Sequence, residues 1–393
     1  MTSISYSEAP AQLQSAPRAA PRNFALDRAR SFLTLVVVLH HAVIPYTYFG
    51  HTDPKSWIGF DVVVTATDSF FMAAFFFLSG LFVWPSLSHK STMTHLRDRL
   101  LRLGLPFAIA AVTVIPLAYY AIALRSSPDL TFTAFWWKTV TAGPWPSGPI
   151  WFVWVLLAYD LLATALHSLS PNLVAPLNRL SQQCFNRPAR FFLFLLVVTA
   201  IVYVPALIYF GPTRWFEFGP FSVQASRVLL YAAYFFIAAG VGAATLNLGV
   251  LSPDGRLAKS NRDWVAATII PYVLMWVMIY IKREILGNPD TLPVWYLAIY
   301  GLLSVTFSAA ILFTILGFFL GSKRSWNMLD RMQGDAYGIF LVHYPIVLWL
   351  QYWLFDYDLP AIVKAALAFV LAVIFSWGVT AILRKIPGAS HVL

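Results

Sequence analysis

Apolar residues occur along this chain in long runs, and short polar stretches separate the runs. Ten of the runs are close to the length that an α-helix needs to cross a bilayer, about 20 residues. Pro, Gly or charged residues lie between neighbouring runs and mark turns. The pattern therefore predicts an all-α integral membrane protein with about ten transmembrane helices, at residues 29–49, 61–87, 100–124, 150–168, 191–210, 228–249, 264–282, 295–321, 335–355 and 360–383.

Composition agrees with this prediction and excludes other classes of protein. Of the 393 residues, 59% are hydrophobic and 11% are charged, whereas a soluble domain carries about 25% charged residues. The basic residues are spread along the chain, so the net charge of +10 does not indicate a nucleic-acid partner. The single cysteine, Cys184, excludes an intramolecular disulfide and a cysteine-based zinc site. We expect no metal and a lipid bilayer as the surroundings.

The basic residues also predict the orientation in the membrane. If the N-terminus is cytoplasmic, most of the 27 Lys and Arg residues lie in cytoplasmic segments, as the positive-inside rule requires. An even number of spans then places both termini in the cytoplasm. We predict a mobile polar tail at residues 1–22, a transmembrane domain at 23–385 and a short C-terminal tail at 386–393. The positive charge thus reflects topology and not a ligand site.

The first span carries three polar residues on one helix face. His41 follows Arg30 by eleven residues and Asp27 by fourteen, and these steps leave only about 20° and 40° of rotation between them. Ionisable groups at membrane depth are costly and commonly functional. His41 is a candidate general base, because a neutral imidazole can accept a proton near neutral pH. In the alternative interpretation, Asp27 and Arg30 anchor the helix at the interface.

The second span carries a polar stripe that includes Asp61 and Asp68. Asp68 is the deeper of the two, so it is the better candidate to orient His41, as a third group does in activated base arrangements. Asp61 is expected to be solvated near the outer mouth. Hydrogen bonds between helices, worth about 1 kcal/mol, would explain the same residues without chemistry.

Two later regions add further candidates. Arg99 and Arg102 are neighbours on one helix face, where guanidinium groups suit phosphate; anionic lipid headgroups are the alternative partners. His343 lies beside Pro345, which interrupts the helix, so His343 can line a polar cavity or satisfy freed backbone groups. Trp151 can stack on a sugar ring or belong to an interfacial aromatic belt. We consider Trp151 and His343 as substrate-binding residues.

Four stretches of the sequence together resemble the acyltransferase 3 family of membrane O-acyltransferases. They extend over most of the chain and keep the order and spacing of the family's motifs. Ala29-Arg30-Ser31-Phe32 departs from the family's usual Leu-Arg-Gly-Ile/Leu but leaves the Arg–His spacing intact. The stretches are Ala25 to Arg30 with His41, Phe75 to Gly80 with Arg99-x-x-Arg102, Gly148 to Phe152, and Ala336 to Pro345.

The resemblance implies transfer of an acyl group from cytoplasmic acyl-CoA, a co-substrate that is acetyl-CoA or succinyl-CoA. The implied acceptor is a hydroxyl of a glycan, lipid-linked or small-molecule substrate, and the implied location is a bacterial inner membrane. Arg30 and His41 match the family's essential arginine and histidine, and Arg99 and Arg102 match its loop motif. Residues 215–221 and 234–236 resemble a glucan-modifying, succinyl-transferring branch that is similar to glucan biosynthesis protein C.

The resulting hypothesis is direct acyl transfer. His41 removes the proton from the acceptor hydroxyl, Asp27 or Asp68 holds the imidazole, and Arg30 stabilises the oxyanion or binds donor phosphate. A proton-coupled transporter or flippase is the alternative, because buried Asp and His residues also suit proton coupling. Such proteins commonly have paired half-repeats with interrupted helices, and the sequence has none that we recognise. A structural scaffold would leave the buried polar residues unexplained.

Overall fold

The computed structural model describes residues 23–50, 52–243, 248–322 and 324–392, so the tail predicted at 1–22 lies outside the described residues. Within these ranges, nine helices are long and apolar enough to cross a membrane. They correspond to nine of the predicted spans. The remaining one, at 335–355, also forms a helix, but His343, Gln351 and several Tyr and Trp residues lower its hydropathy. The prediction of an all-α membrane protein is confirmed.

The helices follow one another along the chain with short connections. Pro205, Pro271 and Pro345 lie inside continuous helices, so Pro345 does not interrupt its helix, contrary to the prediction from the sequence. Short 3-10 or π-helical turns occur at Ile44–Tyr46, Leu100–Gly104, Ala225–Arg227, Ile281–Ile285 and Ala389–His391. The α-helices are α1 (Phe24–Val43), α2 (Ile58–Gly80), α3 (Val83–His89), α4 (Thr92–Arg99), α5 (Leu105–Val112), α6 (Val114–Ser126), α7 (Phe132–Thr141), α8 (Trp151–Leu169), α9 (Ala175–Gln183), α10 (Pro188–Phe210), α11 (Val228–Gly242), α12 (Arg256–Lys259), α13 (Asn261–Tyr280), α14 (Val294–Gly321), α15 (Asn327–Met332), α16 (Ala336–Leu354) and α17 (Ala361–Leu383).

A small β-hairpin precedes α11, and the sequence analysis does not predict it. Strands β1 (Trp215–Phe218) and β2 (Phe221–Gln224) pair in antiparallel register, with Trp215 opposite Gln224. The hairpin contacts α8, where the indole N–H of Trp154 donates to the carbonyl oxygen of Ser222 at 2.9 Å. It therefore covers one end of the helix that begins at Trp151.

Helix α1 lies at the centre of the bundle and packs against α2, α14, α16 and α17. Its first turn is capped by Asn23, whose side-chain oxygen accepts from the backbone N–H of Leu26 at 3.3 Å. Leu26, Leu33 and Val37 recur at helical spacing and are buried. Burial from several directions lets α1 hold its few polar side chains inside the protein.

Helices α2 and α11 approach each other closely because glycine occurs at both contact points. A Cβ atom added to Gly80 would overlap the carbonyl oxygen of Phe235, and one added to Gly242 would overlap the carbonyl oxygen of Leu81. Small residues allow such close backbone contact between membrane helices. The contact holds α2 close against α11.

The segment between α1 and α2 is held by two buried carboxylates. Asp61 accepts the backbone N–H groups of Tyr48 at 3.0 Å and Phe49 at 3.3 Å and is only 3% exposed. The expectation that Asp61 is solvated is therefore wrong, because these N–H groups replace water around the carboxylate. Asp53 forms a buried ion pair with Lys364, with 2.9 Å between Nζ and Oδ2. The two contacts anchor the segment that follows His41.

Candidate active site

His41 lies near the end of α1 and forms a pair with a second histidine. Its Nδ1 is 3.0 Å from the carbonyl oxygen of Val37, one turn earlier. The same Nδ1 is 3.1 Å from Nε2 of His343, which α16 supplies. Both histidines are candidates from the sequence alone, but their contact is not predicted by it.

The hydrogen bonds assign the tautomer of each neutral ring. The carbonyl oxygen of Phe340 can only accept, so Nδ1 of His343 donates the proton of the 2.7 Å bond between them. Nε2 of His343 is then an acceptor, and it receives the Nδ1–H of His41, which also points at the Val37 carbonyl. Because the proton of His41 is on Nδ1, its Nε2 keeps the free lone pair. A ring held in this tautomer can act as a base through Nε2.

Other groups hold the backbone and ring of His41. The Gln351 side-chain amide on α16 donates to the His41 carbonyl oxygen at 2.8 Å. The Tyr344 ring meets the imidazole edge to face at 5.0 Å. Tyr344 in turn packs beside Gly148, whose φ of +47° favours glycine, and an added Cβ there would displace the Ile115 side chain. Neighbouring His40 is bonded instead to the Thr67 hydroxyl, at 2.7 Å.

A cavity of about 440 Å³ gathers most of the other predicted site residues. We call it the arginine cavity. Thr34 of α1 also lines it, and Thr34 lies two helical turns before His41, an axial distance of about 10 Å. Its inner wall includes Phe340, the residue whose carbonyl oxygen accepts from His343. The charged residues that line the arginine cavity are Asp27, Arg30, Arg99, Arg102 and Asp160.

The two basic residues of the predicted loop motif stand on either side of a helical irregularity. Arg99 ends α4 and Arg102 lies in the π-helical turn at Leu100–Gly104. Nε of Arg99 is 3.5 Å from Oδ1 of Asp160. The Tyr337 hydroxyl donates to the Arg102 carbonyl oxygen at 2.7 Å. Asp98, which could have paired with Arg102, forms an ion pair with Lys90 at 2.5 Å.

The carboxylates that the sequence analysis proposes as supports for His41 lie elsewhere. Asp68 is half exposed and is bound by Arg227, with 2.5 Å between Oδ2 and Nη2. Asp27 is at the opposite end of α1 from His41 and lies 3.2 Å from Nη1 of Arg30. The proposed support by Asp27 or Asp68 is therefore corrected, because the Nδ1–H of His41 is directed to Val37 and His343.

The two predicted substrate-binding residues also take different positions from those expected. His343 has no exposed surface, so it can contact His41 but not a substrate in this conformation. Trp151 is half-buried and stacks on Tyr231, with ring centroids 5.5 Å apart. It lies 6.0 Å from the Trp215 ring of the hairpin. Its neighbour Phe152, and not Trp151, lines the arginine cavity.

A second cavity, of about 600 Å³, lies where α6 and α16 end. We call it the aromatic pocket; it is lined by Leu124, Arg125, Pro128, Tyr352, Trp353, Phe355, Asp356 and Tyr357. Arg125 lies over the Phe355 ring at 4.6 Å and donates to the Gln351 carbonyl oxygen at 3.0 Å. Because Gln351 also donates to the carbonyl oxygen of His41, two hydrogen bonds connect this pocket to His41.

Several groups in this region are not predicted from the sequence. Gln351 and Tyr344 follow His343 on α16 by eight residues and by one, steps that leave about 80° and 100° of rotation, so helical periodicity does not place them on its face. Arg227 precedes α11, and only the tertiary fold brings it to Asp68. Among the residues that the structure describes, no group of three His, Cys, Asp or Glu side chains could hold a metal ion.

The fold and the site define a polytopic membrane protein with a histidine pair between two cavities. The family model Acyl_transf_3, an acyltransferase domain, matches residues 23–381. The chain belongs to this family and is therefore a multi-pass membrane acyltransferase. No curated protein and no solved structure matches it.

Proposed function

We propose that the protein is an O-acyltransferase that moves an acetyl or succinyl group from cytoplasmic acyl-CoA to a hydroxyl of a glycan or other extracytoplasmic acceptor. Family membership supports acyl transfer. The observation that carries the finer proposal is the pair of His41 and His343, which leaves Nε2 of His41 unprotonated in the neutral ring. A bacterial inner membrane and a glucan acceptor are part of the same proposal.

The donor is proposed to enter through the arginine cavity. Guanidinium groups bind phosphate with two parallel hydrogen bonds, and Arg30, Arg99 and Arg102 all line this cavity. A volume of about 440 Å³ is within the usual range for ligand pockets, roughly 300–1,000 Å³. Phe75 and Phe152 on the cavity wall would face the thioester arm as it reaches toward His41.

The acceptor is proposed to enter from the opposite end, at the aromatic pocket. Trp353 and Tyr357 offer exposed ring faces, and Arg125 and Asp356 offer hydrogen-bonding groups. This mixture suits a polyhydroxylated molecule, since aromatic faces cover apolar sugar faces and charged groups bind the hydroxyls. The contact from Arg125 through Gln351 to His41 supports this assignment.

The proposed reaction is a single acyl transfer. Nε2 of His41 takes the proton of the acceptor hydroxyl while the hydroxyl oxygen forms a bond to the thioester carbonyl carbon. The carbon–sulfur bond then breaks, and the thiolate takes the proton back from the imidazolium. The products are an ester and free CoA thiol, so the step needs no oxidant or reductant. Arg30 is proposed to bind the donor phosphates.

Thiol release by the purified protein tests this function. Acetyl-CoA and succinyl-CoA would each be supplied with a panel of glycans that includes glucans, using wild type and His41→Ala. We expect release that requires both acceptor and His41, with a loss of roughly 10²–10⁴-fold in the variant. His40→Ala is the matched control, because His40 is the adjacent buried histidine but is bonded to Thr67.

Two results would contradict the proposal. Undiminished acyl transfer by a folded His41→Ala variant would remove His41 as the base. Proton-driven uptake of a glycan into liposomes, without thiol release from either donor, would favour the transporter alternative.

A further inference from the structure

Asp160 is a buried carboxylate whose hydrogen bonds are incomplete. It lies in the middle of α8 and is 1% exposed. Neither of its oxygens has a hydrogen-bond partner in the part of the chain that the structure describes. The nearest charged group is Arg99, whose Nε lies 3.5 Å from Oδ1. Arg99 therefore balances the charge of Asp160 without satisfying its oxygens.

Such a group indicates a missing partner. Buried polar atoms are nearly always hydrogen-bonded, and an exception calls for a specific reason. Leaving one unsatisfied costs about 1–3 kcal/mol, and more when the group is charged. Asp160 lines the arginine cavity, so a molecule bound there can supply the missing hydrogen bond. The other carboxylate that lines this cavity within the described ranges, Asp27, is less deeply buried, with 15% of its side chain exposed.

The chemistry of Asp160 specifies what that molecule must carry. A carboxylate repels phosphate, so a cavity made to bind phosphate alone would be better without it. An N–H or O–H group beside the phosphates, in contrast, would donate to Asp160 while the arginines bind the phosphates. We propose that Asp160 accepts a hydrogen bond from an N–H or O–H group of the coenzyme A carrier.

This inference rests on the proposed function, because it takes the donor to be a coenzyme A thioester. Coenzyme A has such groups in its pantetheine amides, its ribose hydroxyl and its adenine amine. Coenzyme A therefore offers phosphates to the arginines of the cavity and an N–H or O–H donor to Asp160. Asp160 would distinguish this carrier from simple phosphate-bearing anions.

A structural role is the competing explanation. His95 of α4 is also buried, its Nδ1 lies 3.1 Å from the Ser86 hydroxyl, and its Nε2 lies 4.0 Å from Oδ1 of Asp160. Nε2 has no hydrogen-bond partner within the described ranges. A shift of about 1 Å would bring the two atoms into hydrogen-bond distance. Asp160 would then join α4 to α8 and would contact no ligand.

Binding of two probes separates these explanations without requiring an acceptor or turnover. Coenzyme A and inorganic pyrophosphate would be titrated calorimetrically into purified wild type, Asp160→Asn and Asp160→Leu. We expect coenzyme A to bind Asp160→Leu roughly tenfold more weakly or worse. Asp160→Asn should lose less, because it keeps one acceptor oxygen. Pyrophosphate should bind both variants as tightly as wild type or more tightly, because a negative charge has been removed.

The competing explanation predicts a different pattern. If Asp160 only joins α4 to α8, the Asp160 variants should bind both probes more weakly and should melt at a lower temperature than wild type. Ser86→Ala, which breaks the contact to His95 and spares the carboxylate, should leave coenzyme A affinity within about twofold of wild type if our proposal is correct. The proposed role of Asp160 would be overturned if its variants lost affinity for both probes in parallel, or if their affinity for coenzyme A were unchanged. Failure of wild type to bind coenzyme A would overturn the proposed donor as well.

Discussion

Two hydrogen-bond acceptors orient the imidazole of His41. Val37 offers a backbone carbonyl oxygen, and His343 offers a ring nitrogen that is itself fixed by the Phe340 carbonyl. A carboxylate in the same place would hold the same tautomer but would also bring a negative charge into the membrane. A neutral histidine sets the tautomer without that charge, whose burial would be costly.

His343 should therefore act as a positioning residue for His41. In His343→Phe one of the two acceptors is lost at similar side-chain volume and only the Val37 carbonyl oxygen is left to hold Nδ1–H, so the imidazole is less well oriented and kcat should fall by about 10²-fold. KM for acyl-CoA should stay within about threefold, because the arginine cavity is untouched. His343→Gln, whose side-chain oxygen can accept from His41, should recover part of the lost kcat. Steady-state kinetics on purified protein would measure both constants.

Thermal unfolding controls for structural damage in this series. His343 is fully buried, so each variant must first be shown to unfold near the wild-type temperature. A folded His343→Phe variant with wild-type kcat would exclude the positioning role. A variant with wild-type kcat and a raised KM would indicate that His343 binds substrate, as the sequence predicts.

Individual residues differ in how far the sequence could place them. Arg30 and His41 share a helix, and helical periodicity alone relates them to one another. Asp68 also lies on a predictable face of its helix, but its partner Arg227 comes from a segment more than a hundred residues away. The contact between His41 and His343 likewise joins α1 to α16. Periodicity predicts faces of one helix, and it cannot predict which helices meet.

At the scale of elements, a bidentate ion pair joins α15 to the start of α1. Arg28 donates from Nε to Oδ1 of Asp330 at 2.5 Å and from Nη2 to Oδ2 at 3.0 Å. The backbone N–H of Trp326 also donates to Asp330, at 2.8 Å. The hydrogen bond from Arg28 is the main reason that the pKa of Asp330 lies below its usual value of 3.8.

This ion pair predicts a pH-dependent contribution to stability. A carboxyl group with a lowered pKa stabilises the fold fully above its unfolded-state pKa, and this contribution is lost as pH falls through the folded-state value. Asp330→Asn keeps an oxygen for Trp326 but loses the charge, so it should lower stability at pH 7 by about 1 kcal/mol. The difference from wild type should shrink once the pH falls below about 4.

Thermal unfolding in detergent at several pH values would measure this difference. Arg28→Gln is the reciprocal control, and the double variant should be no less stable than either single variant, because both remove the same contact. A difference between wild type and Asp330→Asn that stayed constant from pH 7 to pH 3 would show that the charge contributes nothing.

The sequence predicts most elements well because long apolar runs leave few alternatives to a membrane helix. It does not predict the hairpin at Trp215–Phe218 and Phe221–Gln224, because each strand has only four residues and the alternation in Phe221–Gln224 is too short to be distinguished from a helix end. It also does not show that α4, α5 and α6 form one interrupted span from Thr92 to Ser126. Proline and the π-helical turn divide that span into shorter pieces.

At the scale of the whole molecule, the histidine pair lies between two cavities of different character. The arginine cavity is formed near the start of α1, and the aromatic pocket is formed where α6 and α16 end. Because successive spans run in opposite directions, these places are at opposite ends of the bundle. Under the proposed function, the acyl donor and its acceptor would approach His41 from different sides of the membrane.

This arrangement predicts which end faces the cytoplasm. Loops at the arginine end hold most of the Lys and Arg residues, so the positive-inside rule places that end in the cytoplasm. Cys184 is the single cysteine and is buried, so Cys184→Ser provides a background for single-cysteine variants. Ser127→Cys, at an exposed residue just after α6, and Asp254→Cys, at an exposed residue two positions before α12, would mark the two ends.

In intact cells, a membrane-impermeant maleimide should label Ser127→Cys and leave Asp254→Cys unlabelled until the membrane is permeabilised. That result would give cytoplasmic acyl-CoA direct access to the arginine cavity, since acyl-CoA is too polar to cross the bilayer. The reverse labelling pattern would place the cavity on the side without acyl-CoA. The donor would then have to reach His41 past the aromatic pocket, and the proposed path of transfer would be wrong even if His41 were the base.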